Sequence, residues 1–457
     1  MSNRNTRALS ALVLLSGLVV VPAYATNGYF SHGYGNRQKG MGGVGIALAQ
    51  DALAPATNPA GLVDVGNRYD VGIDWFAPRR GGQISGNSLP PGSNVLTGSC
   101  PVVSTCTVQS ASADGDYDGN ATPNFLIPEF GYARQASDHL SLGFALFGNG
   151  GMNTDYDKNP FAAYGSTGTA GVDLSQLFVA FTAAYRLGES NAFGVSPIFV
   201  YQRFKAKGLG AFAATGFPGP YSESPNNVTD KGYDNSTGFG VRLGWQGELF
   251  KGFKLGATWQ PKIHMKHFDK YKGLFANQGN FDIPETFGFG ASWRMAETFT
   301  VAMDVQRILY SGVPSVGNSL APLVAGKKLG STGGPGFGWQ DMTVYKFGAE
   351  YQLLQSLELR AGYSYGKQPV PASQTLFSIL APGVIQRHLT AGLSWSVTPL
   401  SEINLYYAHG FSETVRGHGS IPAASGLNIL PPQNFGGGEA DIHLMENVVG
   451  IAFGHHF

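Results

Sequence analysis

The chain has 457 residues with 30 basic and 30 acidic side chains, a balance that leaves no electrostatic footprint for nucleic acid or for a polybasic contact with a membrane surface. Only 13% of the residues are charged, against 65 glycines, 30 phenylalanines and 20 tyrosines, and past the amino-terminal leader no run reaches the 18 or more consecutive apolar residues of a membrane helix. Composition of this kind fits strands whose apolar residues alternate, in a transmembrane barrel or in a secreted array of β-sandwiches.

Read in chain order, the first element is a leader. Arg4 and Arg7 precede "ALSALVLLSGLVVVPAYA", and Ala23-Tyr24-Ala25 forms an A-x-A cleavage site. Residues 1–25 are therefore expected to be a secretory signal, with the mature chain beginning at Thr26.

Residues 39–61, "KGMGGVGIALAQDALAPATNPAG", hold Gly40, Gly42 and Gly45 in the spacing G-x-G-x-x-G, and Asp64 follows about twenty residues on. A dinucleotide site needs a buried strand ahead of those glycines. "TNGYFSHGYGNRQ" is polar and glycine-rich instead, and an exported protein meets little free nucleotide, so that reading is set aside.

From residue 68 onward the pattern has period two. In "FTVAMDVQRILY", Phe299, Val301, Met303, Val305 and Leu309 share one face, while Thr300, Asp304 and Gln306 share the other. Leu389, Ala391, Leu393, Trp395 and Val397 oppose Thr390, Gly392, Ser394 and Ser396 in the same way. Fourteen such segments are predicted, at 68–80, 122–135, 140–156, 173–187, 191–207, 238–250, 253–268, 282–294, 299–310, 339–351, 357–367, 386–397, 401–412 and 441–457. The connections alternate between short turns and long Gly/Pro/Ser/Asn-rich loops, as periplasmic turns and extracellular loops do. The last strand, "NVVGIAFGHHF", ends on Phe457, which resembles the terminal aromatic signal read by the outer-membrane assembly machinery. The fold class expected is all-β: a transmembrane antiparallel β-barrel of fourteen strands over residues 68–457.

Eight strands fill their own interior and sixteen or more leave a water channel, so a fourteen-stranded barrel needs something inside it. Residues 26–67 are spare. Their glycines allow close packing, and Val44, Ile46, Ala47, Leu48 and Ala49 suit a short apolar helix. They are expected to form an amino-terminal plug, or hatch.

"NPA" at Asn58-Pro59-Ala60, "DIPETFGFGASWRMAETFTVAMDV" at 282–305 and "GWQDMTVYKFGAEYQLLQSLELRAGYSYGKQPVP" at 338–371 resemble the FadL/TodX family of outer-membrane transporters for hydrophobic compounds. That resemblance implies a hatch with Asn58, Pro59 and Ala60 at gating positions, and a lateral exit at a kink in the third barrel strand. The matching kink is Gly148, Asn149, Gly150 and Gly151, where glycines weaken a strand in any case.

The cargo expected is a long-chain fatty acid, with aromatic or alkane hydrocarbon as the alternative. A carboxylate in an apolar cavity needs a cation, and the candidates are Arg203, Lys205 and Lys207 at the end of the fifth barrel strand and Lys327 and Lys328 in a later loop. Leu209, Phe212 and Phe217 suggest a greasy external groove, and Tyr29 and Phe30 an internal pocket.

Cys100 and Cys106, the only cysteines, are expected to close a small disulfide loop in an oxidising compartment. His264 and His267, three apart on a predicted strand, should point to opposite faces, as should His455 and His456, so no metal and no cofactor is expected. No phosphate-binding loop or convincing nucleophile, base and acid set is present, so no enzymatic activity is expected. A lipid hydrolase and a general porin remain as rival classes. The partners expected are the hydrophobic cargo, outer-membrane lipids and lipopolysaccharide, with no nucleic acid and a monomeric state.

Overall fold

The computed structural model describes residues 27–89, 112–215, 220–423 and 434–457. The leader, Cys100, Cys106 and Phe217 lie outside these residues.

The strands are β1 (Arg68–Ser85), β2 (Gly115–Asp118), β3 (Phe125–Gln135), β4 (Leu140–Tyr156), β5 (Ala170–Leu187), β6 (Asn191–Lys207), β7 (Asp234–Phe250), β8 (Phe253–Gln260), β9 (Thr286–Ala296), β10 (Phe299–Ile308), β11 (Met342–Leu354), β12 (Leu357–Gly366), β13 (Arg387–Thr398), β14 (Ser401–Val415) and β15 (Glu439–His456). Neighbours pair antiparallel, and β15 returns to β1 in continuous register from Arg68↔His456 to Ser85↔Glu439. The four-residue β2 is a flap that pairs with Gly81–Ile84 of β1, so the closed wall has fourteen strands. Closure leaves no free sheet edge, which a membrane requires.

Side chains alternate across this wall. On β1, Val71, Ile73 and Trp75 are exposed while Asp70, Gly72 and Asp74 are buried; on β13, Leu389 and Trp395 are exposed while Thr390 and Ser394 are buried. The outward face is thus an apolar belt, reaching 78% exposure at Phe239, and the inward face is polar. Short turns at 136–139, 188–190, 251–252, 297–298, 355–356 and 399–400 gather at one end, the turn end; the long connections gather at the other, the loop end.

Three predicted boundaries are corrected. The strand expected over 253–268 stops at Gln260, because Pro261 has no amide hydrogen for the ladder; the strand expected from 282 starts at Thr286, after Pro284. The strand expected from 339 starts at Met342, since Trp339 is instead buried in the core. His264 and His267 consequently lie in a loop, where the opposite-face argument does not apply: His264 Nδ1 is 3.0 Å from Asp282 Oδ2, and His267 Nδ1 is 3.0 Å from the Gln278 carbonyl oxygen.

Candidate functional site

Residues 27–67 are packed against the inward faces of the strands. Lys39 Nζ donates to Asp74 on β1 and to Glu129 on β3, both at 2.6 Å. The Gly45 and Ile46 amides donate to Asp304 Oδ2 on β10 at 2.7 and 3.1 Å. Arg186 on β5 and Lys254 on β8 reach Asp64 at 2.9 and 2.6 Å. The three glycines of the G-x-G-x-x-G pattern belong to this packing. A Cβ on Gly40 would meet Gly392 Cα at 2.9 Å, and Gly42 adopts φ +72° with its Cα against Phe347 and Tyr363 of the wall.

Asn58 begins a short helical turn over Pro59–Asp64, and its side-chain oxygen accepts from the Ala60 amide at 3.0 Å. Its Nδ2 donates to the Ile46 carbonyl at 2.6 Å and to the Trp245 carbonyl on β7 at 3.0 Å. Glycines on the wall admit this turn: a Cβ on Gly194 or Gly244 would strike Pro59 or Asn58.

Toward the turn end the contacts are ionic. Arg37 makes paired bonds to Glu358 and to Glu402 at 2.9–3.0 Å, and Arg68 bridges Asp70 and Glu402. Burial alone would lower the Lys39 and Arg37 pKa values, but the facing carboxylates outweigh it and hold both above their usual range. Ser364 Oγ, His388 and Glu446 form a buried hydrogen-bonded chain, and His32 stacks on His388 with ring centroids 5.7 Å apart. Burial and the neighbouring His388 push the His32 pKa down.

Toward the loop end the contacts are aromatic. Tyr29 lies 5.1–6.0 Å, centroid to centroid, from Phe30, Phe281, Tyr310 and Trp339. The Tyr310 hydroxyl donates to the Asn27 carbonyl and accepts from the Tyr29 amide. The Tyr29 hydroxyl is buried without a partner among the described residues, and burial raises its pKa.

The wall is broken beside this cluster. β3 pairs with β4 only from Gln135↔Ser141 to Phe130↔Leu146, and the β4–β5 register slips at Asn149, between Gly148 and Gly150. A bulge here bends β4 away from β3. The amino-terminal segment occupies the vacated edge: Ser31 N donates to the Asn149 carbonyl at 2.9 Å, Gly151 N donates to the Tyr29 carbonyl at 3.0 Å, and Phe30 bridges Gly150. Gly150 has no room for a side chain, because a Cβ would lie 1.8 Å from the Tyr29 carbonyl oxygen. The Asn149 side chain accepts from the Tyr34 hydroxyl at 2.9 Å and donates to Gln176 at 3.1 Å.

Three cavities border this region. One of about 370 Å³ is lined by Gly28, Arg80, Gly151, Met152 and Trp339 among others. A second, of about 520 Å³, lies among the loop-end elements and is lined by Phe204, Leu209, Phe212, Phe275, Phe337 and Phe377, with no charged residue in its lining. The third, of about 740 Å³, contains Arg203, Lys205 and Lys207 together with Asp155, Asp173 and Tyr233.

These positions correct one expectation, the placement of the candidate cations. Arg203, Lys205 and Lys207 occupy odd positions of β6, the parity of the outward Phe193 and Val195, whereas Val200, Gln202 and Phe204 point inward. They cannot meet a carboxylate in the lumen. Lys327 and Lys328 are exposed, and Lys327 bonds to its own loop at Thr332 and Gly333. Leu209 and Phe212 are buried and line the loop-end cavity. In the cavity beside Gly151 the inward cation is Arg80, which the sequence reading missed; it donates to the Asn153 carbonyl at 2.6 Å and to the Thr122 carbonyl at 2.9 Å, while Arg242 and Lys346 line a separate inward cavity with Tyr34. The parity of Arg80 with Asp70 and Asp74 along β1 is the signal that places it inside.

A closed barrel with an apolar outer belt and no helix, among the described residues, long enough to cross a membrane is an outer-membrane β-barrel. The chain belongs to the outer membrane protein transport protein family (OMPP1/FadL/TodX), which matches residues 32–420. It is 25% identical over 444 residues to a long-chain fatty acid transport protein of Salmonella typhi, covering 90% of this chain and 94% of that one. The corresponding protein of Escherichia coli K12 is 24% identical over 457 residues, with the same coverage. Among solved structures, the Pseudomonas putida toluene transporter TodX superposes with a TM-score of 0.61 at 19% identity, over 93% of this chain and 99% of that one. A Pseudomonas aeruginosa FadL homologue gives 0.67 at 13% identity, over 94% and 100%. The family consists of transport channels, not enzymes, and this chain is an outer-membrane transporter of hydrophobic compounds.

Proposed function

We propose that the chain carries long-chain fatty acids inward by passive diffusion, with residues 27–67 acting as a hatch and the break at Asn149 as a lateral exit. The observation that carries this reading is that the backbone of Tyr29–Ser31 fills the edge of β4 at the break, next to a cavity that Arg80 lines. Cargo captured in the loop-end groove passes to the aromatic chamber around Tyr29. Displacing Phe30 from Gly150 then opens a path between β3 and β4 into the bilayer. Release straight down into water would cost about 0.8 kcal/mol per exposed methylene, a barrier that the sideways step avoids. Asn58, Pro59 and Ala60 hold the far side of the hatch on β6 and β7.

Arg80 is the residue we assign to the carboxylate, and the Tyr29 hydroxyl is a second donor in the neighbouring chamber. An uncharged hydrocarbon is the second reading, favoured by the uncharged lining of the loop-end groove. Replacing Arg80 with Met should weaken fatty-acid binding by about 1.5–3 kcal/mol, the scale of a charge-assisted hydrogen bond, and leave toluene binding nearly unchanged. Equal losses for the two ligands would refute the head-group assignment. For the exit, Gly150→Val leaves no room for the Tyr29 carbonyl and should drive Tyr29–Ser31 off the break, raising uptake in a barrel that still assembles; uptake at or below the normal rate would mean another route.

A further inference from the structure

The largest of the three cavities lies beside the break, between the start of β3 and Asn153–Asp155 of β4, and reaches onto the outward side chains at the loop end of β6. Its cations stand on alternate residues of β6 at the loop end, and Arg203 and Lys205 pair with Ser175 and Asp173 of β5. Both flank one ring: the Arg203 guanidinium is 4.5 Å and the Lys205 ammonium 4.7 Å from the Tyr233 centroid. Lys207 is neutralised by Asp155 at 2.6 Å, and Asp173 accepts from the Tyr233 hydroxyl at 2.7 Å. The Arg203 Nε is buried without a hydrogen-bond partner among the described residues.

Two like charges held against one ring repel each other, and a multiply charged oxyanion between them would relieve that repulsion while accepting from both. The adjacent surface suits a lipid. Below the cations on the same outward face, Phe199 pairs with Phe239 at a ring separation of 5.2 Å, where acyl chains of the outer leaflet would lie. Amphipathic tyrosine is at home at such a boundary, and Tyr201 donates to Asn235 at the same level. A free carboxylate would match the charge but would leave this apolar strip unused.

We propose that Arg203, Lys205 and Tyr233 bind the phosphate of a phosphorylated outer-leaflet glycolipid, with its acyl chains along Phe199 and Phe239. The site anchors the β4–β6 side of the barrel beside the break in the wall.

The test uses the full mature protein in detergent, with native mass spectrometry reading retention of three added lipids: a bis-phosphorylated acylated glucosamine disaccharide, its dephosphorylated form, and phosphatidylglycerol. The phosphorylated glycolipid should be retained best, and Arg203→Gln with Lys205→Gln should lower its retention about tenfold or more. Heat-modifiable migration on gels confirms that the variant barrel is closed. Tyr233→Leu, which keeps both cations, should give a smaller loss. Retention of the dephosphorylated form equal to that of the phosphorylated one would overturn phosphate recognition. Equal retention of phosphatidylglycerol would overturn the glycolipid assignment, and wild-type retention in the double variant would overturn the site.

Discussion

The turn-end and loop-end halves of the lumen hold the same amino-terminal segment by opposite chemistries. Toward the turns, Arg37 and Lys39 sit among Glu358, Glu402, Asp74 and Glu129, in buried ion pairs that are stiff and costly to separate. Toward the loops, Tyr29 and Phe30 rest on aromatic rings and on a few backbone bonds to a kinked strand. Ring contacts of this kind contribute about 0.5–1.5 kcal/mol each and are replaced readily by an apolar ligand. On the proposed mechanism one end is an anchor and the other is exchangeable, so that cargo would move the upper part without extracting the whole segment.

The largest expected effect comes from removing the comparison altogether. Deleting residues 27–60 takes out both sets of contacts and leaves a fourteen-stranded lumen unfilled, so single-channel conductance of the reconstituted barrel should rise well above that of the intact protein. Unchanged conductance would refute the plug.

Breaking the anchor alone comes next. Lys39→Met leaves Asp74 and Glu129 buried without their cation, which costs about 3–5 kcal/mol. Hydrogen exchange over residues 32–45 should accelerate accordingly, with the strands unaffected. Adding Asp74→Asn and Glu129→Gln should recover most of the protection, since the uncompensated charges are then gone.

A milder lesion sharpens the other half. Tyr310→Phe keeps the ring contacts but strands the Tyr29 amide and leaves the Asn27 carbonyl with the Phe30 amide alone, at about 1–3 kcal/mol for a buried group left unsatisfied. Exchange at residues 27–31 should quicken while residues 36–45 stay protected. Equal acceleration in both stretches would mean that the segment moves as one unit.

The barrel was legible because period two writes both faces into the sequence: Asp304 next to Met303 already separates lumen from lipid. The same parity, followed along β6 from Phe193 and Val195, assigns Arg203, Lys205 and Lys207 to the outside, whereas matching them to a carboxylate in the lumen overrides that parity. Pro261 and Pro284 were local signals for strand ends. The anchor was not legible, since Arg37 and Glu402 are 365 residues apart and nothing local pairs them. The glycines of 148–151 marked a weak strand, but that Tyr29–Ser31 would fill its edge depends on where β3 stops pairing, a property of the closed wall.

The smallest effect expected is a pH dependence within the anchored half. Asp51 is buried, its Oδ1 accepting from the Leu53 amide at 2.9 Å. Burial and then Asp70 push its pKa from 3.8 up to about 7; Glu129 adds to this and Arg68 opposes it. A carboxyl whose pKa is higher in the folded state binds a proton there that the unfolded segment gives up. Its stabilising contribution is complete below pH 3.8, declines as pH rises through the interval to about 7, and is absent above that. Release of the segment, followed by limited proteolysis near residues 50–57, should therefore be slower at pH 5 than at pH 8, while the barrel stays closed at both. Asp51→Asn cannot ionise and should remove that difference, holding release slow at pH 8. If the difference persists in Asp51→Asn, another group carries the titration and the role given to Asp51 fails.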